Sequence, residues 1–165
     1  MGSRDGQTGF SWRQLGDPWV FVATGFGCGF VPVAPGTVGS ALGVAIWWFV
    51  LSDQDVYTRA AAAFAAFFAG VLIVDRVVKR HRLGDAPAIV LDEIAGVWFA
   101  LLFVPMSPLW ATAAFVLFRI ADIAKPWPVS WADTRVKGGL GIMADDLIAG
   151  LMASVVVGAA GLAMP

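Results

Sequence analysis

The sequence predicts an all-α integral membrane protein, with about five transmembrane helices behind a Gly/Pro-broken N-terminal segment that is re-entrant or interfacial. Three observations predict it. The chain has 165 residues, of which 59% are hydrophobic and 14% charged, where a soluble domain carries about 25% charged residues. Its mean hydropathy is +0.78. Its apolar residues fall into separate runs, with the charges gathered between them. Residues 1–165 read as one domain, with 1–17 as a polar tail.

Residues 19–35, "WVFVATGFGCGFVPVAP", are apolar but interrupted by glycine and proline. Such a segment is a poor spanning helix and is tolerated only where other helices cover its backbone. Clearer runs follow at Val38–Leu51, Tyr57–Val74, Ile94–Val104, Leu109–Ile120 and Leu147–Ala163. A full crossing takes about 17–25 residues. The shorter runs therefore need polar ends that dip into the bilayer, or local thinning.

The basic residues set an orientation. Arg4 and Arg13 precede the first run; Arg76, Lys79, Arg80 and Arg82 follow the second; Arg119, Lys125, Arg135 and Lys137 flank the end of the fourth. With five crossings, all of these fall on one side and only Arg59 is opposite. The positive-inside rule makes that side cytoplasmic and puts the C-terminus on the other.

The acids gather on the same side. "DEIAG" begins at Asp92, "RIADIAKPWP" holds Arg119, Asp122 and Lys125, and "GGLGIMADD" ends at Asp145–Asp146. Asp75 and Asp85 lie nearby in the basic region. Carboxylates crowded at an interface repel one another without a cation, and hard divalent cations prefer oxygen ligands. Arginine binds phosphate as a planar fork and lysine as a point charge. Glycine-rich stretches at Pro35–Ser40 and Gly138–Gly141 offer backbone N–H groups for an anion. The ensemble suits a phosphorylated, membrane-embedded substrate and a divalent cation.

Other phosphatase chemistries find no residues. Six positions after Cys28 stands Ala34, not arginine, and His81 is the sole histidine. The lone cysteine also excludes an intrachain disulfide. Nucleic acid is not an expected partner.

Structural roles compete for the same residues. Asp92, Asp145 and Asp146 suit helix caps that favour the macrodipole. Thr37 and Ser40 also suit caps. Arg119 and Lys125 suit anchors to anionic headgroups, and Arg76–Arg82 a topology element. The eight tryptophans suit an interfacial belt, and Trp127 alternatively a lipid pocket.

"PGTVGS", "DEIAGVW", "FRIADIAKPWPVSWAD" and "GGLGIMADDLIAG" together resemble the phosphatidylglycerophosphatase A family, in the same order from about Pro18 to Gly150. The resemblance implies an enzyme of the bacterial inner membrane; the apolar runs make it multi-pass, and the positive-inside rule puts its active site on the cytoplasmic face. It implies Mg2+-dependent removal of the terminal phosphate of phosphatidylglycerophosphate, giving phosphatidylglycerol and inorganic phosphate. The expected catalytic residues are Asp92, Glu93, Asp122, Asp145 and Asp146. Of these, Glu93, Asp122, Asp145 and Asp146 are the candidate metal ligands. Thr37, Ser40, Arg119, Lys125, Gly138 and Gly139 are the candidate phosphate contacts. The attacking group is a water or a carboxylate. Two other readings are a metal-dependent lipid phosphoalcohol transferase and a small transporter or ion relay. The first lacks its usual run of spaced aspartates, and the second predicts acids spread through the membrane depth. Small residues on the helix faces allow a homo-oligomer.

Overall fold

The computed structural model describes residues 10–82 and 86–163, and those residues form helices and no strand. Arg4 and Asp85, both assigned by sequence to the charged side, lie outside the described residues.

Seven α-helices follow one another: α1 Pro18–Ala23, α2 Pro35–Ile46, α3 Val56–His81, α4 Leu91–Leu101, α5 Pro108–Ala124, α6 Val129–Arg135 and α7 Gly138–Ala163. A π-helical turn, Trp47–Leu51, continues α2. Proline starts α1, α2 and α5, where its missing N–H costs nothing. Asp55 caps α3 by accepting from the Tyr57 and Thr58 amides.

Two helices, α3 and α7, are long and apolar enough to cross a membrane. Each has 26 residues, about 39 Å against a hydrocarbon thickness of about 30 Å. Their most apolar windows are only 28% and 39% buried. Phe64, Phe68 and Leu72 stand exposed one turn apart on α3, and Val155 and Val156 are exposed on α7. The core helix of a soluble protein would bury such a face. The segment 19–35 is broken as its glycines suggest, into six-residue α1, a turn with positive φ at Gly25, Phe26 and Gly27, and a 3-10 turn at Cys28–Phe30.

Two boundaries differ most from the sequence reading. Helix α3 runs past Val74 to His81, so Arg76, Lys79 and Arg80 are helical rather than in a loop. Helix α7 starts at Gly138 rather than Leu147, so "GGLG" is its first turn and not a lead-in. Glycine is a weak helix former, but tertiary packing overrides that here. A Cβ on Gly139 would press on the Asp75 amide at 2.5 Å, and one on Gly141 on the Val136 carbonyl carbon at 2.7 Å.

The central pairing is α4 with α7. They run side by side in the same direction. Gly96 meets Asp146 and Gly150 at one end, and the Phe103 amide donates to Ser154 Oγ at 3.3 Å at the other. Helix α2 packs on α4, where Trp98 Nε1 donates to the Gly43 carbonyl at 2.9 Å. Phe118 of α5 is fully buried against this pair.

The α4–α7 approach depends on glycine. A Cβ on Gly150 would meet the Gly96 carbonyl carbon and Phe99 Cβ, both at 3.1 Å, and its carbonyl oxygen closer still. Gly150→Val should cost about 3 kcal/mol through overpacking, read as a lower Tm in detergent. Gly16→Ala, with nothing within 4 Å of the added carbon, should stay within about 0.5 kcal/mol.

A buried carboxylate cluster at the helix ends

Five acids from three helices meet where α4 begins and α5 ends, beside the second turn of α7. Asp92 and Glu93 stand in the first turn of α4. Its N-cap is Val90, so neither acid serves as the cap. Asp122 lies in the last turn of α5. Asp145 and Asp146 lie two turns inside α7, which also removes the capping role. One carboxylate oxygen each from Asp92, Glu93 and Asp146 lie within 4.8 Å of one another, and the same holds for Asp122, Asp145 and Asp146. Asp146 belongs to both groups and is 2% exposed.

The local sequence explains the meeting. Asp92 and Gly96 are four apart on α4, and Asp146 and Gly150 four apart on α7, so acid and glycine share a helix face. A Cβ on Gly96 would strike the Asp146 Cβ and backbone oxygen at 2.9 Å. The glycine therefore brings Asp146 up against α4.

Two cations are built into the cluster. Arg119 Nη1 is 2.8 Å from Asp122 Oδ2 and 3.9 Å from Glu93 Oε1. It also donates to Ser40 Oγ at 3.3 Å, and the Ser40 hydroxyl donates to the Gly36 carbonyl at 2.7 Å. Gly36 leaves the room this needs, since a Cβ there would fall on the Glu93 carboxylate and 3.1 Å from Arg119 Nη2. The start of α2 thus closes over Glu93 and Arg119. Lys125 ends α5 in the left-handed region, at φ 45°. Its Nζ lies 2.9 Å from Asp145 Oδ2 and also bonds Asp133. Partial burial pulls the Lys125 ammonium pKa down, but hydrogen bonds to Asp133 and Asp145 outweigh it and hold the pKa above the ordinary lysine value.

The other expected phosphate contacts lie differently. Thr37 is half-buried in the first turn of α2, one turn from Ser40. Both are inside the helix behind Ala34 at the N-cap, so neither caps it. Gly138 and Gly139 face Asp75: the Gly139 amide donates to Asp75 Oδ1 at 3.4 Å, and a Cβ on Gly138 would sit 3.2 Å from that oxygen. An acid, rather than an open anion site, meets the start of α7. Asp75 also pairs with Lys79 at 2.6 Å.

Asp133 was not singled out from sequence. The chain turns back through Pro126 and Pro128 and places Asp133, eight residues after Lys125, against its ammonium, a meeting that no periodicity in "KPWPVSWAD" signals.

The donor set fits a hard cation. Both groups contain carboxylates alone, without histidine or cysteine. Glu93 Oε2, Asp145 Oδ1 and Asp146 Oδ2 are buried and receive no hydrogen bond among the described residues, an arrangement that is costly unless a positive group compensates it.

Comparison with known proteins gives a family. The phosphatidylglycerophosphatase A family matches residues 21–160. A protein of Escherichia coli (strain K12) named phosphatidylglycerophosphatase A is 35% identical over 142 residues, covering 86% of this chain and 82% of its own. A Haemophilus influenzae protein of the same name is 36% identical, covering 87% of this chain and 89% of its own. A Bacteroides thetaiotaomicron protein, named provisionally as a phosphatidylinositol-3-phosphatase, is 40% identical, covering 86% and 92%. No solved structure matches the chain. The chain belongs to the phosphatidylglycerophosphatase A family, a family of phosphatase enzymes.

Cation binding should be visible without turnover. Mg2+ should raise the Tm of the detergent-solubilised protein, since a ligand of the folded state stabilises it. Asp146→Asn should abolish that rise. The same change should stabilise the cation-free protein, by about 1–3 kcal/mol, because it removes an uncompensated buried carboxylate. An unchanged Mg2+ response in Asp146→Asn would exclude the cluster as the binding site.

Proposed function

We propose that this protein hydrolyses the terminal phosphate of phosphatidylglycerophosphate in a Mg2+-dependent reaction, releasing phosphatidylglycerol and inorganic phosphate. The observation that carries the reading is the convergence of Arg119 and five carboxylates beneath the start of α2, in a chain of this family. Names of the Escherichia coli and Haemophilus influenzae relatives support the substrate.

Asp146, with Asp92 and Glu93 on one side and Asp122 and Asp145 on the other, would hold the cation. When bound, Mg2+ offsets the acids and draws charge from the phosphoryl oxygens. Arg119 takes the terminal phosphate with its planar fork, and Ser40 fixes the guanidinium for it. Thr37, at the first turn of α2, stands beside the same place. Lys125 adds positive charge from the Asp145 side. A water attacks phosphorus, the new P–O bond forms, and the bond to the glycerol oxygen breaks. Glu93 takes the proton from the water; it touches both the acid group and Arg119. Glu93 then returns that proton to the leaving oxygen, which departs as the lipid hydroxyl.

The protein is a single domain embedded in the bacterial inner membrane. Helices α3 and α7 are the long crossings, and α2 with its π-turn, α4 and α5 are the shorter three, drawn in where the site end meets the interface. Arg76, Lys79 and Arg80 share the end of the molecule that carries the cluster, joined through Asp75 and Gly139, while Arg59 stands at the far end of α3 and bonds the Ser52 carbonyl. That asymmetry supports a cytoplasmic site.

Purified protein should release phosphate from phosphatidylglycerophosphate with Mg2+ and not with excess chelator. Phosphatidylinositol 3-phosphate should be the poorer substrate; a reversed preference would move the assignment to the activity named for the Bacteroides thetaiotaomicron relative. No release from either lipid by folded protein would overturn the proposal. Arg119→Lys should lose about 100-fold in kcat, the scale of one lost charge-stabilising contact, because lysine keeps the charge but not the fork.

A further inference from the structure

A groove of about 420 Å³ lies between α2 and α5, lined by Ala41, Val44 and Trp48 on one side and Pro108, Ala111, Thr112 and Phe115 on the other. Its one hydroxyl is already used: Thr112 Oγ1 donates to the Pro108 carbonyl at 2.7 Å. The only other polar side-chain group in the lining is the Trp48 indole N–H. The groove points toward the cluster at its Ala41–Phe115 end. Ser40 precedes Ala41 on α2, Arg119 lies one turn beyond Phe115 on α5, and Arg119 Nη1 donates to Ser40 Oγ across the two helices. From there to Pro108 is eleven residues of helix, about 16 Å.

We propose that this groove holds an acyl chain of the lipid phosphomonoester whose phosphate sits at Arg119. The inference rests on the reading of Arg119 as the phosphate contact and adds where the hydrocarbon goes. Chemistry changes in the order of the ligand, from the Arg119 guanidinium beyond one end of the groove to a largely apolar wall along it. A lipid that presents phosphate and chain together is matched by both ends at once. A chain held there fixes the glycerol backbone at the mouth and so positions the scissile bond.

Ala41 and Thr112 are exposed within the groove, so bulk can be added without opening the core. Two substrates of one headgroup are compared in mixed micelles with Mg2+: dioleoyl and dihexanoyl phosphatidylglycerophosphate. Ala41→Trp and, separately, Thr112→Phe should lower kcat/KM for the dioleoyl lipid about tenfold relative to the dihexanoyl lipid, the scale of a lost apolar subsite. A chain-length ratio equal to wild type in both variants overturns the groove and leaves the phosphatase reading intact. Equal loss on both lipids with a changed oligomeric mass assigns the groove to a second copy of the chain and likewise overturns it. No release by the wild type from either lipid overturns both readings together.

Discussion

Mutual repulsion of buried carboxylates is the constraint on which this structure turns. Five acids share one small volume with two bases, Arg119 and Lys125. Like charges this close disfavour one another strongly, and burial removes the water that would screen them. The helices hold them together regardless, because glycine lets α4 and α7 approach at backbone distance. The folded chain thus stores an electrostatic demand, and a divalent cation is the natural way to meet it. A phosphate has the same need. Without added positive charge, the cluster would repel an anion brought to Arg119.

The two bases work as braces as well as charges. Arg119 joins α5 to α4 through Glu93 and to α2 through Ser40. Lys125 joins the end of α5 to α6 through Asp133 and to α7 through Asp145. Each therefore fixes the position of acids it does not fully neutralise. The start of α7, which might have offered N–H groups to an anion, is instead occupied by Asp75. The start of α2, at Gly36, packs directly on Glu93 and Arg119.

Much of the site was legible in the sequence because its pieces are local. "DEIAG" and "DDLIAG" each show an acid and a small residue on one helical face, and "RIAD" shows a base and an acid three apart. Their order along apolar runs was enough to send them to one end of a helical protein. The start of α7 was not legible, because its glycines read as a break by intrinsic propensity; only the close contacts with Asp75 and Val136 explain why the helix includes them. Asp133 was hidden for a different reason. Its partner is set by the return of the chain through α6, a tertiary fact with no periodic signature. The groove between α2 and α5 was hidden in the same way, since either face alone reads as ordinary apolar helix.

The spacing of Asp92 from Gly96, and of Asp146 from Gly150, carries a consequence for how such a protein can change. In many enzymes, a framework persists while the reacting groups are exchanged upon it. Here one helical face supplies both the glycine that lets the helices close and the acid of the candidate site. A substitution at this crossing therefore moves packing and charge together, and neither can be adjusted there alone.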